Sequence, residues 1–444
     1  MDNLTTEPLV KQQTQTFADL GISAEILAVL AQLKFTTPTP IQHKAIPVAI
    51  SGKDVVGIAQ TGTGKSLAFG IPLIQRLMQM PKQAGLIILP TRELAEQINI
   101  TLIKMGRPFG LKTAVLIGGA SMYQQVQHIR NQPHIIIGTP GRINDHIKQK
   151  TLNLGNVGIL VLDEADCMLD MGFAPQIKQI LLSVPKERQT MLFSATMPDS
   201  IIKIATTYMK LPVRVEIARQ GTTNEKVDHE LFFVKKDYKA VLLQKLLGEY
   251  KGSVLVFSRT KHGAKKISDN LLRKGFTAAE IHSNRSLSQR RQALDGFKAG
   301  KYRVLVATDI ASRGIDVKGI ELVLNYDLPE SPGDYVHRIG RTGRAGLTGK
   351  AISFVMPEQK SKVREIERLI RSTIPISQMP TDLPPQFTAN TPQQQAVYQR
   401  NTGYINTAPT AQHNYARKPG GYGSARPSYG QRPYKPFNKK KFSR

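Results

Sequence analysis

Between Leu160 and Asp166 the chain reads L-V-L-D-E-A-D, an apolar run that ends in three carboxylates. Roughly a hundred residues upstream, Ala59 to Ser66 reads A-Q-T-G-T-G-K-S, a glycine-rich loop closed by a lysine and a hydroxyl. In such a loop Gly62 and Gly64, with Thr61 and Thr63 between and before them, let backbone N–H groups approach phosphate oxygens. The helix that follows aims its positive end at the same oxygens. Lys65 would reach the β and γ phosphates, Ser66 offers a hydroxyl to magnesium, and Asp163 supplies a carboxylate for that metal. Glu164 stands next in line to orient or deprotonate water. The two segments are therefore halves of a nucleoside triphosphate site, with ATP and Mg2+ as its cofactors. Ala59 occupies the place of the first glycine of the general pattern, so the loop taken alone could be a chance glycine turn; the acidic strand end argues against that.

Both halves follow short apolar runs of the kind that form buried parallel strands. Such runs recur at Val55 to Ala59, Leu86 to Leu89, Ala114 to Ile117, Ile135 to Ile137, Ile159 to Leu162 and Met191 to Phe193, with helical spacing between them, as from Glu93 to Ile103. Alternation of this kind implies an α/β fold with a parallel sheet covered on both faces. A polar stretch from Arg219 to Lys226 interrupts it and reads as a linker. The alternation resumes at Val254 to Phe257, Ala278 to Ile281, Val304 to Ala307, Leu322 to Tyr326 and Ala351 to Val355, a second α/β domain without a phosphate loop. The expected organisation is a disordered N-terminus (1–16), a nucleotide-binding domain (17–218), a linker (219–226), a second domain (227–373) and a disordered basic tail (374–444) rich in Gly, Tyr, Arg and Lys.

The 444 residues carry 61 Lys and Arg against 33 Asp and Glu, a formal charge of +28 that points to a polyanionic partner, nucleic acid first. Asp382 is the last acid; the ten basic residues beyond it leave +18 to residues 1–382, so body and tail can each touch nucleic acid. In the tail Tyr404, Tyr415, Tyr422, Tyr429, Tyr434, Phe437 and Phe442 are interspersed with cations, a pattern that stacks bases while neutralising phosphates. Met1 to Gln15 has no apolar core of signal-peptide length, and no run approaches a membrane span of about 18 residues. A cytoplasmic protein without membrane contact is expected. The single cysteine, Cys167, excludes an internal disulfide and a cysteine-based zinc site and reads as a small buried apolar residue.

Further motifs follow in order from Phe17 to Arg344, and with them the chain resembles the DEAD-box ATP-dependent RNA helicases, most closely the bacterial RhlE-type branch. The resemblance implies two tandem RecA-like domains that close on ATP. Phe35 to Gln42, F-T-T-P-T-P-I-Q, resembles the family's adenine-sensing motif, in which Gln42 would bond the adenine edge and Phe35 or Phe17 would cover its face. Asp166, Ser194, Thr196 and His337 would couple hydrolysis to strand separation. H-R-I-G-R-T-G-R, His337 to Arg344, resembles the final motif, with Arg341 and Arg344 as arginine fingers. Gly314 and Asp316, in A-S-R-G-I-D, would hold the ribose from the second domain. Pro90, Thr91 and Arg92, Gly118 and Gly119, and Thr139, Pro140, Gly141 and Arg142 would hold the RNA backbone in the first domain, as would Ser258, Arg259, Thr308 and Asp309 in the second. Where the family usually has Gln-x-x-Arg this chain has Leu287-Ser288-Gln289-Arg290, which leaves the role of that segment open.

The expected activity is an RNA-stimulated ATPase that separates short duplexes of any sequence, in ribosome assembly or RNA decay, with proteins of those pathways docking through the tail. An ATP-gated RNA clamp and a DNA-directed motor are the alternatives.

Overall fold

The computed structural model describes residues 16–60, 62–217, 227–312, 317, 319–343 and 348–380. The expectations placed on residues 1–15, Thr61, the linker 219–226, Gly314, Asp316, Arg344 and most of the tail lie outside the described residues. Thirteen strands among the described residues form two sheets, each wholly parallel. In the first domain these are β1 (Val55–Ile58), β2 (Ala84–Ile88), β3 (Thr113–Leu116), β4 (Ile135–Gly138), β5 (Val157–Leu162), β6 (Gln189–Ser194) and β7 (Val213–Glu216), in the order β3-β4-β2-β5-β6-β1-β7. The second domain holds β8 (Val227–Phe233), β9 (Ser253–Phe257), β10 (Ala278–Ile281), β11 (Val304–Ala307), β12 (Ile320–Asn325) and β13 (Gly349–Val355), ordered β10-β11-β9-β12-β13-β8. Two parallel-sheet RecA-like domains are thus the observed fold class.

Strand alternation divides each sheet's side chains between two cores. Along β5, Ile159 and Val161 enter one buried cluster with Phe69, Ile74 and Phe193, whereas Leu160 and Leu162 enter another with Ile177, Ile180 and Leu192. The helix Lys65–Gln79 lies across the first of these cores, and the Phe69 and Phe193 rings meet tilted with centroids 5.6 Å apart. Truncating such a ring to Ala costs about 3–5 kcal/mol, so the element that starts at the phosphate loop is firmly anchored to the sheet.

Two strands escape an apolar-run reading. β7 alternates Val213 and Val215 with Arg214 and Glu216, and β8 opens on V-D-H-E before its apolar end. Both sit at sheet edges, β7 beside β1 and β8 beside β13, where one side of the strand faces outward and polar residues are tolerated. The folded chain also runs past residue 373. Ile374 is buried, Leu231 N donates to Pro375 O (2.9 Å) and Ser377 N donates to Leu231 O (2.8 Å), so residues 374–377 continue along the outer edge of β8.

Candidate functional site

The carboxyl ends of β1, β5 and β6 are in register, with Ile58 opposite Ser194 and Leu162 opposite Leu192, so the loops that follow them converge on one rim. The glycine-rich loop leaves β1, the acidic cluster leaves β5, and Ser194-Ala195-Thr196 leaves β6. Gly62 and Gly64 adopt φ of 84° and 91°, open to glycine at little strain. At Gly64 a Cβ would collide with the Gln42 carboxamide and press on the Thr39 hydroxyl, so the bare backbone is required for the loop to lie against the Gln42 helix. Lys65, the first residue of the helix Lys65–Gln79, is buried and its Nζ donates to Ala59 O (3.0 Å).

Asp163 is 3% exposed and accepts from Glu164 N (2.9 Å). Burial pushes its carboxyl up to about 6, with Lys65 pulling the other way and Glu164 and Asp166 adding to the rise. A buried carboxylate in that condition is the donor a hard cation relieves, so with the Ser66 hydroxyl beside Lys65 these residues fit Mg2+; no three His, Cys, Asp or Glu among the described residues are placed to hold a metal by themselves, so phosphate oxygens and water would complete its shell. Glu164, also buried, caps the helix Ala165–Asp170 in a left-handed conformation, φ 51°.

Asp166 ties three elements together. Its Oδ2 accepts from Thr196 N (2.8 Å), Thr196 Oγ1 (2.9 Å) and Ala195 N (3.1 Å), while its own N donates to Ser194 Oγ (3.3 Å). His337 of the second domain approaches the same oxygen at 3.7 Å. Burial acts to raise the Asp166 pKa, yet His337, Lys65 and the Thr196 bonds more than offset it and hold the carboxyl below its usual range. Thr196 therefore serves the acidic cluster, and the helix Asp199–Tyr208 begins after Pro198. Lys65, Glu164, Asp166, His337 and Arg341 line one narrow crevice between the domains. Arg341 is buried, with its Nε donating to His337 O (3.2 Å).

On the adenine side Gln42 is buried and both ends of its carboxamide are engaged: Oε1 accepts from Thr39 N (2.9 Å) and Nε2 donates to Gly64 O (2.9 Å). Phe17 is packed into the first-domain core, whereas Phe35 is 38% exposed.

The residues expected to hold RNA cluster at strand ends in each domain. Thr91 and Pro90 follow β2, with Thr91 Oγ1 capping the helix Arg92–Gly106, and the Arg92 guanidinium lies against Gly118 and Gly119 after β3. Gly119 has φ 81° and no room for a Cβ beside that guanidinium. Thr139, Pro140 and Gly141 open the helix Pro140–Lys148 after β4, and Arg142 Nη1 donates to Ala120 O (3.2 Å). Burial lowers the Arg92 pKa, as do Arg290 and Arg142, so three cations share this face. In the second domain Ser258 and Arg259 follow β9, where Arg259 N donates to Asp327 Oδ2 (3.1 Å). Thr308 N donates to Ile281 O (3.3 Å), and Asp309 is gripped at both oxygens by Arg338, 2.7 Å from Nη2 to Oδ2.

Two sets of residues went unread in the sequence. Arg338, 2% exposed, bonds Asp309, Asn325 Oδ1 (3.1 Å) and Asp327 O (2.6 Å) and lies over the Phe257 ring, bracing the strand ends of the second domain. Its place inside H-R-I-G-R-T-G-R was visible, but three arginines in one motif gave no sign of which would turn inward. Across the domains, Arg290 meets Glu93 (Nε to Oε1 2.7 Å, Nη2 to Oε2 2.9 Å), with both residues buried, and Arg291 pairs with Glu96 (Nε to Oε2 2.9 Å). Leu287, where the family usually has Gln, is buried in the first domain's core cluster. Its neighbour Gln289 is spent on the capping box of its own helix.

Residues 39–204 match the family model described as DEAD/DEAH box helicase, and residues 238–346 match the helicase conserved C-terminal domain. Among curated proteins, the DEAD-box ATP-dependent RNA helicase CshA of Bacillus subtilis (strain 168) is 42% identical over 370 residues, covering 83% of this chain and 75% of the relative. CshA of Geobacillus kaustophilus (strain HTA426) is 42% identical over 368 residues, covering 82% and 79%. Of solved structures, S. cerevisiae Dbp5 bound to RNA and ADP BeF3 superposes with a TM-score of 0.75 at 30% identity, covering 83% of this chain and 96% of that one. Mss116p bound to ssRNA and AMP-PNP gives a TM-score of 0.77 at 26% identity, covering 84% and 81%.

Proposed function

The chain belongs to the DEAD-box ATP-dependent RNA helicase family, and from that premise we propose how its own residues divide the work of an RNA-stimulated ATPase. The observation that carries the reading is the crevice in which Lys65, Glu164 and Asp166 of the first domain face His337 and Arg341 of the second. ATP binds there with its phosphates on the glycine-rich loop. Lys65 exchanges its bond to Ala59 O for the β and γ phosphates, and Gln42 turns one end of its carboxamide to the adenine edge, under Phe35 or Phe17. Asp163 and Ser66 would hold Mg2+, which would supply charge to neutralise that developing on the phosphoryl oxygens. Glu164 positions and deprotonates the attacking water. Arg341, with Arg344, stabilises the transition state from the other domain, so hydrolysis requires closure.

RNA backbone lies across both domains, on Arg92, the Gly118-Gly119 turn and the Pro140 helix of the first and on Ser258, Arg259 and Thr308 of the second. Asp309 acts there indirectly, by fixing Arg338 at the end of β12. Because these groups address phosphate and sugar, sequence preference is weak. Closure bends one strand and releases a few base pairs, and Asp166, bonded to Thr196 and approached by His337, transmits the state of the phosphates to the domain interface.

At the finer level of branch, the sequence reading favours the RhlE type, whereas the relatives described above are CshA proteins; remodelling of RNA in ribosome assembly or decay, in the cytoplasm and with protein partners on the tail, is the setting proposed for either. The test is steady-state ATP hydrolysis with no nucleic acid, single-stranded RNA or single-stranded DNA, with Glu164→Gln as the blank. Strong stimulation by RNA alone is expected; equal stimulation by DNA would overturn the substrate assignment. Release of short duplexes, as against long-lived complexes in a nonhydrolysable ATP analogue, separates a helicase from a clamp.

A further inference from the structure

A sizeable cavity lies away from the crevice, at the amino ends of the first-domain strands. It has a volume of about 630 Å3, within the range of small-ligand sites, and is bounded by the starts of β1, β5, β6 and β7. Its charged lining is Lys53, Arg76, Arg188 and Lys210 against Asp54 and Glu187. Both carboxylates are committed. Asp54, buried, accepts from Thr190 N (2.7 Å) and Lys210 N (2.7 Å), and Glu187 is bound to Lys210 Nζ (2.5 Å). Lys53, Arg76 and Arg188 have no ion pair among the described residues, so the cavity carries an unbalanced positive charge.

The two guanidiniums are built in. Arg188 is held by Pro185 O (Nη1, 2.6 Å) and Tyr208 O (Nη2, 3.3 Å), which leaves its Nε–H buried without a partner. The Nε–H of Arg76 is likewise buried and unpartnered, and its Nη2 donates only to the weak Met80 sulfur (4.0 Å). Arg76 lies over the Gly52 turn, φ 85°, where any Cβ would displace it. Both guanidiniums line the cavity, and the few bonds they make leave Nη–H donors over, an arrangement that an oxyanion would satisfy. At the mouth, Leu211 is 95% exposed, so an apolar surface adjoins the cationic one.

From these features we propose that the cavity is a second anion site, specific for a small phosphate-bearing ligand, held by Arg76, Arg188 and Lys53. It cannot be part of the nucleotide crevice: Arg76 lies eleven residues beyond Lys65 on the same helix, about 16 Å along its axis. Phosphate suits the site because planar guanidiniums bind it at two oxygens and because it carries enough charge to answer three cations. Glu187 competes with that ligand for Lys210.

The test is calorimetric titration of the full-length chain with inorganic pyrophosphate, in a Lys65→Ala background that silences the phosphate loop. Saturable binding at one site is expected, weakened at least tenfold by Arg76→Gln or Arg188→Gln. The exposed substitution Lys53→Ala should weaken it several-fold without touching the fold, and Glu187→Gln should tighten it by freeing Lys210. A merely structural arginine pair would not produce that last gain. Absence of saturable binding in the Lys65→Ala chain, or binding indifferent to Lys53→Ala and Glu187→Gln, overturns the proposal.

Discussion

Asp163 and Glu164 sit where the chain would rather not place them. Asp163 is a buried carboxylate whose pKa stands near 6 against 3.8 for an ordinary one, and Glu164 is a left-handed non-glycine residue. With a raised folded-state pKa, the native protein holds this proton more tightly than the unfolded chain does. Its contribution is favourable below pH 4 and is lost as pH rises through 6, a loss of up to roughly 3 kcal/mol at ~1.36 kcal/mol per unit. Asp163→Asn should therefore abolish ATP turnover yet raise the thermal midpoint of the nucleotide-free protein at pH 8, and the gain should vanish at pH 4. Calorimetric scans at the two values check it; no gain at pH 8 would mean the charge is better solvated than its burial implies. At this scale the sequence was informative about residue type, since lysine, serine and carboxylates at those spacings have few other uses. It was silent on long-range hydrogen bonds: T-P-I-Q carries the capping-box pattern that joins Gln42 to Thr39, but nothing in it says that Gln42 will also reach Gly64, which comes near only through the fold.

Among elements, legibility followed burial. Central strands such as β5 and β11 are continuous apolar runs and were evident; the edge strands β7 and β8 alternate with charge and were not. The contact between the helix Leu287–Lys298 and the helix Arg92–Gly106 was hidden for another reason, since Arg290 and Glu93 are 197 residues apart and their meeting depends on two domains closing. That dependence makes it testable. Opening the domains returns both charges to water, so removing one partner penalises closure rather than folding. Glu93→Gln should lower RNA-stimulated ATPase at subsaturating RNA by tenfold or more while moving the thermal midpoint little. A large fall in the midpoint with normal stimulation would place the pair among static braces, as Arg338 is in the second domain.

For the molecule as a whole, charge was the plainest signal in the sequence, and the two-domain division followed from one interruption in an alternating pattern. Where the folded body stops was less plain. The change in composition after Thr373 marks the tail, but residues 374–377 still pair with Leu231. Removal of the basic tail is therefore best made after Pro380. That truncation takes away the ten cations beyond Asp382, and RNA affinity should fall with a shallower dependence on salt; an unchanged slope would show that the tail makes no phosphate contacts.

A truncation seven residues earlier should behave quite differently. The short segment along β8 shields main-chain groups of a strand that ends in L-F-F, and without it those groups would be open to pairing with another copy of the chain. A protein ending at Thr373 should lose colloidal stability, with light scattering on gentle warming rising well before its domains unfold, while one ending at Pro380 stays clear. By this reasoning those few residues guard against self-association.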